Sequence, residues 1–293
     1  MISPSAEELR DLEGRELPGG VDRVERWENR LLTECTGRAP LADGLVHPVA
    51  LFHLPIRGVG TSIAELFAQA RVQAGDQVRL DRYDWTWRRP LREDADLVFS
   101  GRIAAARRHR DDDGVHDEFV FSIEGGDADG PVVAVTNQWR IVRSGVAKSR
   151  PAPALDPPAT RSETVPSWTM PSVSPDRMRT MAALLRDPYP VHYDRDAVAA
   201  MGRGSRLINQ GPLNLGYVMN MLMAWHGDDC LRRITVGFHG PVCEGDEVIA
   251  RGEVVDRSVV DTEERSTCAV RLANDGADVV VGTAVVATST VPM

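Results

Sequence analysis

The sequence predicts an α+β protein built from two copies of one unit, each a buried helix followed by an antiparallel sheet. Three observations carry this. Residues 213–225 hold Leu213, Leu215, Val218, Met219, Leu222 and Met223, which spread round the whole circumference of a helix; a helix apolar on all sides is one wrapped by other structure. Strand-like runs separated by Gly- and Asp-rich turns fill much of 79–142 and 232–288. Finally, Pro90-Leu91-Arg92-Glu93-Asp94-Ala95-Asp96-Leu97-Val98-Phe99-Ser100-Gly101-Arg102-Ile103 aligns without gaps, at an offset of 151, on Pro241-Val242-Cys243-Glu244-Gly245-Asp246-Glu247-Val248-Ile249-Ala250-Arg251-Gly252-Glu253-Val254. Pro, Glu and Gly coincide, and each strand-interior apolar position is apolar in both copies. Upstream, His47-Pro48-Val49-Ala50-Leu51 lines up with Gly211-Pro212-Leu213-Asn214-Leu215 if the first copy carries a 13-residue insertion. The pattern is that of an internal duplication.

Taken in order, the chain opens with a helical stretch over 25–32, where Val24, Trp27 and Leu31 share one face. Residues 46–54 are apolar nearly all round and stop at Pro55, which fits a buried helix or a short buried strand. A helical piece at 63–70 follows. Strands are expected over 79–87, 97–106, 118–123 and 132–142, with turns at 111–114 and 125–130, as a four-strand meander. Residues 144–166 carry five prolines among Ala, Ser and Thr and read as an extended linker. The expected division is thus a first domain at 1–143, a linker at 144–166 and a second domain at 167–293.

In the second domain Ser174-Pro175-Asp176 is a helix start, with Ser as cap and Pro in the first turn. Met178, Met181, Ala182 and Leu185 form the apolar face. After a turn at Gly202-Arg203-Gly204, Gly211-Pro212 opens the buried helix, and strands over 232–238, 247–255, 266–272 and 279–288 form a second meander.

Composition narrows the class. At 293 residues, with 42% apolar and 26% charged content, the chain has the makeup of a soluble globular protein of one large or two ordinary domains. The net charge of −9 argues against a nucleic-acid partner. No apolar run reaches the roughly 18–20 residues of a membrane span, and the first residues are acidic where a signal peptide is basic. The four cysteines include no C-x-x-C pair, so neither a zinc site nor a disulfide framework is expected. A cytoplasmic protein with reduced thiols, no metal and no other cofactor is the expectation.

Chemistry is most concentrated at Arg186-Asp187-Pro188-Tyr189-Pro190-Val191-His192-Tyr193-Asp194. Pro188 and Pro190 end the preceding helix and hold a carboxylate and an imidazole on a stiff, non-helical segment. Such a segment suits proton transfer; it also fits a plain helix stop with Asp187 solvated and His192 at a loop edge. Asp187-x-x-Pro190-Val191-His192 resembles the Asp-x-Asn-Pro-aliphatic-His motif of the MaoC-like, R-specific enoyl-CoA hydratases and 3-hydroxyacyl thioester dehydratases. Tyr189 stands where that family has Asn, and Arg186 where Gly is common. The turn Phe238-x-x-Pro241-Val242-x-x-Gly245-Asp246 is similar to the family's strand connection. The resemblance covers the second half from about residue 166 and the first half in outline, and it implies a double hotdog fold.

The resemblance further implies a metal-free hydratase/dehydratase acting on a 3-hydroxyacyl or 2-enoyl thioester of CoA or acyl-carrier protein. Asp187 and His192 would be the catalytic pair. Gly211, at the start of the central helix, would offer a backbone N–H to the thioester oxygen, as unpaired helix N-terminal amides can. Asn209 and Gln210 could cap that helix or line the pocket, and Tyr189 would lie beside the pair. Arg203 and Arg206, with Arg232 and Arg233 behind them, are candidates for phosphate contacts, though a solvated surface charge is the better reading of any one of them. His226 and His239, at a helix end and a strand end, read as structural. His47 and His53 could face the first half's equivalent site, but no Asp-x-x-Pro-x-His accompanies them, so the first half reads as catalytically empty and as part of an acyl tunnel. Two other functions remain open: a thioesterase on the same fold, or a non-catalytic acyl-thioester binder. Two hotdogs in one chain could serve as a monomer or pair into a homodimer.

Overall fold

The computed structural model describes residues 3–73, 75–111, 114–143 and 163–288. Its strands are β1 (Gly20–Asp22), β2 (Gln77–Trp87), β3 (Leu97–Asp111), β4 (Gly114–Asp127), β5 (Gly130–Val142), β6 (Thr164–Met170), β7 (Leu231–Phe238), β8 (Val248–Val260), β9 (Glu263–Asn274) and β10 (Ala277–Ala287). They form one antiparallel sheet in the order β1-β3-β4-β5-β2-β7-β10-β9-β8-β6. Read outward from its centre, where Tyr83 pairs with Val236 and Asp84 with Thr235, each half repeats the other strand for strand.

The order corrects the expected meanders. The first long strand of each half does not pair with the next one but lies beside the last, β2 against β5 and β7 against β10. Residues 88–96 and 239–247, nine in each case, make the crossing, and hairpins use only about 2–5. Strand periodicity reveals strands, not their order. The duplication itself is written into a backbone irregularity. Pairing slips between Ile103 and Ala105 in β3 and between Val254 and Asp256 in β8, the same offset of 151 seen in the sequence. A β-bulge is a specific insertion, so its recurrence at matched positions is structural support for a repeated unit.

The helices are α1 (Ala6–Arg10), α2 (Arg26–Cys35), α3 (Leu54–Gly58), α4 (Ile63–Gln69), α5 (Pro175–Leu185), α6 (Arg195–Ala200) and α7 (Gly211–His226). As its sequence requires, α7 is buried on all sides, from Pro212 to Met223 without a break. It meets the first half closely at Gly216, where a Cβ would stand 2.8 Å from Thr36 Cγ2. The matching stretch of the first half is neither one helix nor a strand. It is a 3-10 turn over Pro48–Phe52 followed by α3, and Pro55 lies in the first turn of α3, where no N–H is needed, rather than ending the element.

Other expectations shift for physical reasons. The apolar face assigned to α2 is not the one it buries: Val24 is buried, but Trp27 is 58% exposed, while Glu28, Asn29, Leu32, Thr33 and Cys35 face inward. Glu28 is stabilised there by His53 at 2.8 Å and Arg57 at 2.6 Å, and Asn29 donates to Leu45 O and Glu93, so the buried polar groups have partners. The turn expected at 125–130 is narrower, because β4 continues through Gly125 and Gly126, and a Cβ on Gly125 would collide with the Phe99 ring at 2.4 Å. Residues 144–162 of the expected linker lie outside the described residues. Residues 164–166 already belong to β6, where Pro166 is tolerated because this is the sheet's edge and its pairing slips between Val165 and Trp168. No helix among the described residues is long and apolar enough to cross a membrane.

Candidate active site

The site is built at the end of α5. Ser174 caps this helix through the Arg177 N–H, and Met178, Met181, Ala182 and Leu185 anchor it to the core as the sequence pattern requires. Arg186 stops it in the left-handed region, at φ 49°, and the Asp187 N–H bonds back to Ala182 O at 3.0 Å. The chain then turns through Pro188 and Tyr189 into a single 3-10 turn, Pro190–His192. Asp194 closes the segment by capping α6 through the N–H groups of Asp196 and Ala197.

Within this frame Asp187 Oδ1 accepts the Tyr189 N–H at 2.9 Å, and Asp187 Oδ2 stands 3.5 Å from His192 Nε2. His192 Nδ1 lies 2.6 Å from Ile208 O. A carbonyl can only accept, so Nδ1 carries a proton and Nε2 is the ring nitrogen turned toward the carboxylate. The two side chains are each 11% exposed. The solvated loop edge is therefore not what forms.

Ile208 belongs to the strand-like run into α7, and this run is braced from both sides. The Ile208 N–H bonds to Val191 O at 2.9 Å and the Asn209 N–H to Val242 O at 2.7 Å. The 241–246 turn holds its own shape through Asp246, which accepts the Cys243 N–H at 2.8 Å. At the end of the run, α7 begins with Gly211 and Pro212, and no side chain caps it. Its open amides and the positive end of a 16-residue helix are available to a developing negative charge. A Cβ at Gly211 would lie 2.3 Å from Leu80 Cδ1 and 3.2 Å from the Phe238 ring, so a side chain here would have to displace Leu80.

These groups share one cavity of about 540 Å³. The second half contributes Asp187, Tyr189, His192, Asn209, Gln210 and Gly211 to its wall. The first half contributes Phe52, Ile63, Phe67, Leu80 and Trp139. The Tyr189 ring packs edge-on against His192 at 5.9 Å, and burial raises its phenol pKa, with Arg203 opposing and Asp187 adding to the shift. Asn209 Nδ2 donates to Asn214 Oδ1 at 2.7 Å, and Gln210 Nε2 to Met178 O at 2.7 Å.

The basic candidates separate. Arg203 lines the cavity and donates to Gln77 Oε1 across the boundary between halves. Arg206 is not part of the lining; it pairs with Asp246 on the surface. Arg232 and Arg233 are engaged on the sheet by Glu263 and Asp84. Among the wall residues missed in the sequence are Arg79 and Cys243, and His239, read as structural, also lines the cavity. His47 and His53 do not face a second site. His47 is fully buried and accepts the Val49 N–H at 3.1 Å, while His53 pairs with Glu28. No group of three or more His, Cys, Asp or Glu among the described residues could hold a metal ion.

A central element wrapped by an antiparallel sheet, made twice and joined edge to edge, defines a double hotdog protein. Residues 156–275 match the family described as MaoC like domain. A MaoC-like dehydratase from Phytophthora capsici is similar at 17% identity over 98% of this chain and 99% of its own, with a TM-score of 0.71. The full-length peroxisomal multifunctional enzyme type 2 from Drosophila melanogaster is similar at 17% identity over 96% of this chain and 50% of its own, with a TM-score of 0.64. A Mycobacterium tuberculosis protein described as having a double hotdog fold is similar at 12% identity over 97% of this chain and 98% of its own, with a TM-score of 0.61. At such identities the likeness is one of fold. No curated protein sequence matches the chain.

Proposed function

We propose that the chain is a hydro-lyase that adds water to, or removes it from, the 2,3 bond of an acyl thioester carried on CoA or acyl-carrier protein, and that it works in the cytoplasm. The observation that carries this reading is the Asp187–His192 pair, 3.5 Å apart, in the wall of a cavity that also receives the uncapped start of α7. In the hydration direction a water held between Asp187 and His192 gives up a proton to the pair as its oxygen bonds to C3. The π electrons of the 2,3 bond move toward C2 and the thioester carbonyl, where the Gly211 N–H and the helix dipole stabilise the charge. The proton is then returned to C2, so one molecule of water is added and nothing is oxidised or reduced. Residues 1–143 supply the support domain, whose Phe52, Phe67 and Trp139 would line the acyl chain, and 167–293 supply the catalytic domain. Arg203, at the rim, would meet a phosphate of the carrier arm.

The test is to mix the protein with 2-enoyl-CoAs of increasing length, beginning with crotonyl-CoA, and to follow enoyl absorbance with thiol release in parallel. Loss of absorbance without free thiol is the expected result. Free thiol would assign a thioesterase instead, and binding without either signal a non-catalytic acyl-thioester carrier.

A further inference from the structure

Gln210 immediately precedes α7, yet it does not cap it. Its side chain runs the other way, and Nε2 donates to Met178 O in α5 at 2.7 Å. That bond also fixes which end of the amide is which, because a carbonyl cannot donate. The NH2 group must face α5, so Oε1 faces away from it. Gln210 is 0% exposed, forms part of the cavity wall, and its Oε1 has no hydrogen-bond partner among the described residues. A buried amide oxygen left without a donor is unfavourable, and buried side-chain oxygens nearly always have one.

The adjacent site groups do not supply that donor. Asp187 offers carboxylate oxygens, His192 Nδ1 is committed to Ile208 O, and Asn209 Nδ2 is committed to Asn214 Oδ1. The hydrogen is thus free to come from a molecule in the cavity, a water or a ligand. A carrier arm has amide N–H groups, but they lie beyond the thioester sulfur, on the far side of the carbonyl from C3. A hydrocarbon acyl chain has no N–H. The donor at its reacting end is a hydroxyl on C3, or the water from which that hydroxyl is made.

We infer that Gln210 Oε1 accepts the hydrogen bond of the 3-hydroxyl of a 3-hydroxyacyl thioester and, in the hydration direction, of the water that adds to C3. Gln210 is then a positioning and specificity residue. It leaves one O–H of the water for the Asp187–His192 pair and holds the other, which aims the oxygen at C3. This rests on the hydro-lyase reading and refines it.

The experiment compares two ligands of the chain length that the wild type hydrates fastest, the 3-hydroxyacyl-CoA and the saturated acyl-CoA, by calorimetric titration. Gln210→Met, close in volume and without the acceptor, should weaken the hydroxyacyl ligand about tenfold and leave the saturated ligand within twofold. It should also lower kcat for hydration more than it raises KM. An equal loss for both ligands overturns the inference, because both carry the same carrier arm and only one has the hydroxyl. Should Gln210→Met fold poorly, the wild type with a 3-fluoroacyl-CoA answers the same question: fluorine fills the hydroxyl's place without donating, and binding as tight as that of the hydroxyl ligand overturns the inference. Absence of hydration at every chain length removes the hydro-lyase reading itself, and the inference with it; retained hydration with no discrimination removes only the role of Gln210.

Discussion

The two halves have one architecture and opposite chemistry, and the contrast is sharpest where each central element begins. In the second half α7 starts at Gly211, which lines the cavity, and no side chain caps its amides. In the first half the matching position is His47, whose Nδ1 accepts the Val49 N–H and closes the turn at Pro48–Phe52, while Nε2 lies 3.0 Å from Asn220 Oδ1 on α7. The preceding helices differ in the same sense. Each is stopped by a left-handed residue, Arg186 after α5 and Gly37 after α2. The next residue is Asp187 in one case and Arg38 in the other. Arg38 is paired with Asp228 at 2.5 Å, and Asp228 also accepts the Ala42 N–H, so a cation held in an ion pair stands where the second half has its carboxylate. A fold that makes such a terminus twice leaves it uncapped in the second half, and in the first half closes it with His47.

The strongest way to break this contrast is to remove the pair that only one half has. Asp187→Asn and His192→Ala should each lower the hydration rate about 10²–10⁴-fold with little change in thermal midpoint. Steady-state rates and a melting curve check both, and a variant of either that keeps wild-type turnover would place the chemistry elsewhere. Next comes the helix start. Gly211→Ala puts a methyl group against Leu80 and Phe238, beside the N–H that the proposed mechanism offers to the thioester oxygen. It should cost roughly 10–100-fold in kcat, on the order of 1.4–2.7 kcal/mol, while Leu80, as a flexible side chain, moves enough to keep the fold.

What was legible in the sequence follows the range of the interactions. Asp187 and His192 lie five residues apart on a segment stiffened by two prolines, so local rules placed them together. The helix start at Gly211 and the all-round burial of α7 were equally local. The wall contributed by Phe52, Phe67, Leu80 and Trp139 depends on β2 pairing with β7 across the middle of the sheet, which no local pattern encodes; the duplication was the one signal that could have led there, because the offset of 151 matches the halves position by position. The buried face of α2 was misread for another reason. Hydrophobic periodicity assumes that charge points outward, and here Glu28 points inward because Arg57 and His53 meet it there; together they hold its carboxyl at about 2 despite burial.

The role of His47 as a brace gives a prediction about stability with pH. Burial lowers its pKa to about 4, below the roughly 6.5 of an exposed imidazole. The unfolded chain therefore binds a proton between these values that the folded chain does not. The contribution is present in full above about pH 6.5, declines as the pH falls toward 4, and levels off below that. His47→Ala should lower stability at pH 7 by about 1–3 kcal/mol through loss of the cap and the Asn220 contact. It should also flatten the pH 4–6.5 part of the profile, and hydration activity should persist wherever the protein stays folded. Denaturant melts at three pH values would test it; an unchanged slope would mean that His47 does not carry this titration.

The smallest expected effect discriminates best between a bracing ion pair and a second working site. Arg38 and Asp228 are each 22% exposed, so their pairing is partly shielded from water but far from a dry core. Removing one partner leaves a half-buried charge, and Arg38→Ala should cost about 1 kcal/mol or somewhat more, a shift of about 2–4 °C in Tm for a protein of this size. Turnover should not change, because neither residue lines the cavity that holds Asp187 and His192. Arg38 stands where the second half has its carboxylate, so Arg38→Asp would place two acids face to face across the cleft and should destabilise more than Arg38→Ala. It still should not create a second active site, since the amides that would have to receive the thioester oxygen remain closed by His47. Turnover in an Arg38→Asp variant that also carries Asp187→Asn would contradict this and make the open helix start, rather than the acid–imidazole pair, the less important of the two differences.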